Sequence, residues 1–186
     1  MGKQDKAMFY RHLDRTRVYF EYGSGGSTYQ ASTRPNIKKI YSVESDIEWQ
    51  TKLRGLIRHP DIEYMYNDMD TRRNTWGYPG AKATKQQKVS YSDQITNLPK
   101  MAQDSIGLVL IDGRFRVACC LKCHAAVSDN CLIAFDDFLN RPGYHAVLSY
   151  FDVVEKTADN ALAILKRRTT VTVPKELIEK YELEAG

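Results

Sequence analysis

The chain has 186 residues, 42% hydrophobic and 27% charged, with 27 basic and 23 acidic side chains giving a formal net charge of +4. This length and apolar fraction suit one domain with a sizeable core and exclude a disordered or fibrous polymer; no apolar run approaches the roughly 18 residues that span a bilayer, so no membrane partner is expected. The charge excess is too small by itself to argue for nucleic acid, and a phosphate-bearing small substrate suits it equally well.

The polar start, Met1 to Lys6, has no apolar h-region and does not read as a secretory signal. Lys6 also breaks the myristoylation pattern that Gly2 would open. Cys119, Cys120, Cys123 and Cys131 lie in or next to a run with helical spacing and lack a second ligand pair at zinc-site distance. Reduced core thiols, and with them a cytoplasmic location, are the expectation.

In chain order, residues 5–16 predict a short amphipathic helix and 17–22 a first strand. A glycine turn opens a helix over 26–33, broken by Pro35-Asn36, and 38–43 is a second strand. Asp46 caps a predicted helix 46–58 with Trp49, Leu53, Leu56 and Ile57 on one face. After Pro60-Asp61 comes a third strand, 62–66. Residues 69–90 carry Arg72, Arg73, Trp76, Tyr78, Lys82, Lys85 and Lys88 with neither helical nor strand period. A loop of that length is usually functional or mobile: an exposed basic-aromatic loop near a cofactor mouth could close over a substrate, and a disordered surface insertion is the alternative. A helix over 91–102 precedes the apolar run 106–111, which has the composition of a strand buried on both faces. Helix 115–128, strand 131–135, a helix at 143–150 and strands 151–157 and 161–168 follow. Asp159-Asn160 turns the last two strands into a hairpin. The tail, from Pro174, is charged and helical.

Alternating strands and helices predict an α/β fold: a Rossmann-like, doubly wound, mostly parallel sheet with a C-terminal antiparallel hairpin. The chain reads as one unit, 1–186, with an N-terminal helical segment (1–16), a loop insertion (69–90) and a tail (174–186).

Ligands of such sheets bind beyond the carboxyl ends of the strands. Glu21, Glu44, Asp68, Asp112, Asp136 and Asp137 all fall at or just past strand ends. Gly23-Ser24-Gly25-Gly26 follows Glu21 and leads into Ser27-Thr28, a turn whose main-chain N–H groups a ligand can approach. Glu44, at the end of the second strand, suits the hydroxyls of a ribose. Thr28 stands where a dinucleotide motif has its third glycine, and Glu21 would repel a pyrophosphate.

These residues resemble the class I S-adenosylmethionine-dependent methyltransferases over most of 17–168. Glu21-x-Gly23-x-Gly25 is similar to the first motif of that family, Glu44 to its second-strand acid, Asp68 to its third-strand acid and Ile111-Asp112-Gly113 to its fourth-strand motif. The resemblance implies S-adenosylmethionine as cofactor. The backbone of Gly23, Ser24 and Gly25 would line its methionine part, Ser27, Thr28 and Asp112 would also belong to the cofactor site, and Glu21 would support the turn and the amino group. Glu44 would take the ribose hydroxyls, and Asp68 with Met69 would lie beside the adenine. Asp112, Asp136 and Asp137 resemble the Mg2+ or Mn2+ site of the catechol-type and sugar O-methyltransferases, which implies a small-molecule or glycan acceptor. Arg114 departs from that subgroup, which has its presumed base there. His145 is the candidate base in its place, or, without metal, Asp112 or Asp137 directly. Arg72, Arg73, Arg114, Arg116 and Arg141 are candidates for binding a sugar phosphate or a glycan. The motif used on exocyclic amines of bases is missing, so nucleic acid is not the expected acceptor. The alternatives are a nucleic-acid or protein methyltransferase, suggested by the basic loop, and a non-catalytic Rossmann-like module. A homo-oligomer is compatible with the sequence.

Overall fold

The computed structural model describes residues 1–186. Its elements are α1 (Lys3–Leu13), β1 (Val18–Tyr22), α2 (Gly26–Ser32), β2 (Lys39–Glu44), α3 (Ile47–Leu56), β3 (Ile62–Tyr66), α4 (Lys85–Asp93), α5 (Lys100–Ser105), β4 (Leu108–Ile111), α6 (Arg116–Ala126), β5 (Leu132–Asp136), a 3₁₀ helix (Pro142–Ser149), β6 (Phe151–Lys156), β7 (Leu162–Arg167) and α7 (Lys175–Tyr181). The seven strands form one sheet in the order β3-β2-β1-β4-β5-β7-β6. The first five are parallel, and β7 runs antiparallel to both β5 and β6. The α/β sheet with its terminal hairpin is thus as the sequence predicts, and the hairpin turns at Asn160, whose φ is 59°.

Every residue of β4, Leu-Val-Leu-Ile, is buried, which requires cover on both sides. Alternate side chains divide between two cores. Val109 and Ile111 join Phe20, Tyr22, Phe135 and the inward face of α6 in one. Leu108 and Leu110 join Tyr19, Ile40 and Met8, Phe9 and Leu13 of α1 in the other. All four cysteines are free and buried in the first core. On α6, the buried Lys122 reaches Asp93 and Glu182, each at 2.5 Å, and ties α4 and the end of α7 to the central helix. No helix is long and apolar enough to cross a membrane.

Three local expectations are corrected. The helix foreseen at 91–102 is two helices. Thr84 and Gln87 form a capping box that starts α4 at Lys85, inside the stretch read as loop. Pro99 then starts α5. On α3, Leu53 and Ile57 are buried, but Trp49 and Leu56 are not. Gln50 takes the inward place instead, and the Trp49 indole N–H donates to the Ser24 carbonyl at 2.8 Å. The predicted helix at 143–150 is a 3₁₀ helix begun by Pro142.

Candidate active site

The site is built on two turns that touch. β1 and β4 are neighbours, with Tyr22 opposite Ile111, so the loops leaving them meet at Gly23 and Gly113. Gly23 has φ +93°, and a Cβ on it would lie 2.9 Å from both the Cα and the N of Gly113. A Cβ on Gly113 would lie 2.1 Å from the Tyr91 hydroxyl. Glycine is required at both positions, by conformation and close approach at the first and by close approach at the second. Gly25 then caps α2, and its N–H donates to Thr28 Oγ1 at 2.8 Å.

Glu21 holds this turn from below. Its carboxylate is wholly buried and accepts from the hydroxyls of Tyr19 (2.9 Å), Ser27 (2.7 Å), Ser42 (2.6 Å) and Thr28. One carboxylate thus binds β1, β2 and the first turn of α2. Burial pushes it up to about 7, against the opposing pull of its four hydroxyl partners. A side chain so enclosed has no face turned to a cofactor amino group, the contact the resemblance implies; its partners are the hydroxyls of the turn and of the two strands.

Glu44 faces the turn from the next strand. Its Oε1 accepts from the N–H of Ser45 (2.7 Å) and Asp46 (2.9 Å), and its Oε2 from the N–H of Ser24 (3.1 Å). Burial raises its pKa, and the three backbone bonds pull the other way. A carboxylate has about four acceptor directions, so one remains open on Oε2. The two acids are joined: Ser42 donates to Glu21, and its hydroxyl meets that of Ser24 at 2.6 Å.

Residues 70–80 lie over this pair. Ser45 Oγ donates to the Gly77 carbonyl at 3.2 Å, the Arg114 guanidinium sits 4.3 Å from the Tyr78 ring centroid, and Tyr78 Oη donates to the Gly186 carbonyl at 2.6 Å. Asp68 and Met69 do not share a binding surface. Asp68 is exposed and accepts from the Asp70 N–H at 2.9 Å, while Met69 is fully buried in the main core. The buried polar group at this strand end is Asn67. Its N–H bonds the Glu44 carbonyl at 2.8 Å and its side-chain amide the Gln87 carbonyl at 2.9 Å. Attention to acids at strand ends passed over this amide.

Beyond β4 and β5, Asp112 and Asp136 come together. Asp136 is buried, its Oδ1 has no partner, and burial with the adjacent Asp112 carboxylate pushes it up to about 7. The Met1 amino nitrogen lies 3.6 Å from its Oδ2. Asp137, with φ 59°, is held by Arg141 at 2.8 Å and by Arg116 at 3.4 Å.

The buried Arg116 guanidinium decides the metal question. It donates to the carbonyls of Gly113 (3.0 Å), Asp136 (2.8 Å) and Asp112 (3.3 Å), and to the carboxylates of Asp112 (3.0 Å) and Asp137 (3.4 Å). A fixed cation thus stands among the oxygens that would have ligated Mg2+ or Mn2+, and no group of three metal-ligating side chains forms. The metal site foreseen from Asp112, Asp136 and Asp137 does not fit. His145 is also corrected. It packs 5.7 Å from the Phe138 ring, its Nε2 is buried without a partner, and no hydrogen bond or ion pair joins it to these aspartates.

No protein-family model and no curated protein matches the chain. Solved structures do. A methyltransferase-like protein from Silicibacter pomeroyi DSS-3 is 22% identical with a TM-score of 0.84, over 100% of this chain and 96% of that one. The chain has the methyltransferase fold. An rRNA methylase from Streptococcus thermophilus is 13% identical with a TM-score of 0.53, over 90% and 98% of the two chains. A putative methyltransferase from Streptococcus mutans, solved in complex with SAH, is 10% identical with a TM-score of 0.51, over 90% and 100%.

Proposed function

We propose that this chain is an S-adenosylmethionine-dependent methyltransferase acting on a hydroxyl of a sugar or another polyhydroxylated acceptor. The observation that carries the reading is Glu44, whose Oε2 has a single hydrogen-bond partner, the N–H of Ser24 in the turn Gly23–Gly25. These residues fit the cofactor: Glu44 Oε2 would take a ribose hydroxyl, and the turn would admit the methionine part against the backbone. When bound, the cofactor supplies an electrophilic methyl group.

The chain's own contribution is to place the acceptor and hold its proton. Burial and the Asp112 carboxylate beside it push the Asp136 carboxyl up to about 7, a range that suits a general base. Arg116 fixes Asp112 and Asp137 without an exchangeable ion. Arg141 is half-exposed next to them and is placed to meet an anionic acceptor group.

Methyl transfer from labelled S-adenosylmethionine into glycan, RNA and protein pools tests this reading. Label is expected in a hydroxyl-bearing acceptor, equally with and without chelator. Asp136→Asn is expected to reduce turnover by about a hundredfold or more while leaving cofactor affinity intact. Label found only on protein would contradict the acceptor class. A folded protein that binds cofactor without turnover would make it a binding module. Since one similar fold is named an rRNA methylase, RNA is the second acceptor to try.

A further inference from the structure

The net charge understates how charge is distributed. Residues 71–92 hold Arg72, Arg73, Lys82, Lys85 and Lys88 and no acidic residue, so the remainder of the chain holds 22 basic and 23 acidic side chains. The entire positive excess lies in one segment. Arg73 approaches Glu48 at 3.6 Å, whereas Arg72, Lys82, Lys85 and Lys88 make no ion pair. Lys85 and Lys88 are three apart on α4 and share a face.

Amid this charge stands Trp76, 88% exposed, the most exposed aromatic side chain of the protein. Its backbone is left-handed (φ 54°), as are those of Asn74 (62°) and Gly77 (76°). The loop beneath it is pinned on the cofactor side by Ser45 through Gly77 and by Arg114 on Tyr78, and on the other by the Lys82 N–H to Asp70 at 3.0 Å. An anchored loop therefore presents an exposed indole one residue from the contact with Ser45, in a segment that also carries four cations without an ion pair.

We propose that residues 71–88 dock a single-stranded RNA, with one nucleobase stacked on Trp76 and neighbouring phosphates on Arg72, Lys82, Lys85 and Lys88. Single strands are favoured because stacking on a protein ring needs a base free of its own stack, while a cationic track follows the backbone. An acidic peptide matches the charge but offers no regular supply of planar faces. RNA combines the polyanion with a ribose hydroxyl, so this inference rests on the methyltransferase reading and names its acceptor class.

Fluorescence anisotropy with a short labelled RNA of mixed sequence tests it, with S-adenosylhomocysteine calorimetry run on each variant. Trp76→Ala, which removes a surface side chain, is expected to weaken RNA binding about tenfold. Lys85→Ala and Lys88→Ala should each lower the slope of log affinity against log salt by about 0.7. S-adenosylhomocysteine binding should be unchanged in all three. An unaltered RNA affinity in Trp76→Ala, equal competition by base-free polyphosphate, or binding to phosphatidylserine vesicles in place of RNA would overturn the proposal. Cofactor binding without RNA binding would sink the docking site alone; loss of cofactor binding in the wild type would sink the methyltransferase reading.

Discussion

Glu21→Gln is expected to remove a fall in stability that the wild type shows as pH rises from about 4.5 to about 7. In the folded protein the carboxyl is raised from 4.5 to about 7 by burial. Across that window the folded chain retains a proton that the unfolded chain has released, so stability declines with rising pH and levels off above the folded value. A shift of this size corresponds to about 3 kcal/mol. Asp136 is raised over a similar range, but it is present in both proteins, and the difference between them isolates Glu21. Urea unfolding of wild type and variant from pH 4 to 8, about the span of both values, reads the effect directly. Parallel profiles would show that the buried carboxylate does not titrate as the structure requires. Glu21→Ala should be harsher, costing about 3 kcal/mol or more, because the hydroxyls of Tyr19, Ser27, Thr28 and Ser42 lose their common acceptor.

The other large effect is expected at the glycine contact. Gly23→Ala places a methyl group 2.9 Å from the Gly113 backbone and forces alanine to φ +93°. Left-handed backbone costs a non-glycine residue roughly 1–2 kcal/mol, and overpacking against backbone that has no side chain to move costs about 1–3 more. The sum is a large share of the stability of an ordinary domain, and the melting temperature should fall by about 10 °C. Gly25→Ala is the matched control. Nothing lies within 4 Å of a Cβ there, so stability should change by less than about 1 kcal/mol, while a ligand lying along the turn would feel the added methyl. A Gly23→Ala protein that melts with the wild type would contradict the close contact between the two turns.

Much of the frame was readable from the sequence because strands announce themselves by composition and end at acids. The apolar run of β4, the turn after β1 and the positions of Glu21, Glu44 and Asp112 needed only that pattern. What failed had a definite cause in each case. Asp112 and Arg116 are an i,i+4 pair visible in the sequence, yet only the fold shows that the guanidinium also reaches back to Gly113 and Asp136 and across to Asp137, displacing the metal. Glu21 and Glu44 look alike on paper, but one is sealed beneath the turn and the other keeps an acceptor direction open. The Thr84–Gln87 capping box was present in the sequence, and the polar, weakly periodic helix behind it concealed its meaning. The cations of 71–92 were hidden in a whole-chain sum, where acids elsewhere cancelled all but four of the charges.

Glu44 is where the account is most exposed. Calorimetric titration of S-adenosylhomocysteine should give saturable binding to the wild type, weakened at least about tenfold in Glu44→Ala, the loss expected for one hydrogen bond to a charged acceptor. A folded wild type that gives no binding heat, or a Glu44→Ala protein that binds as tightly as the wild type, would contradict it.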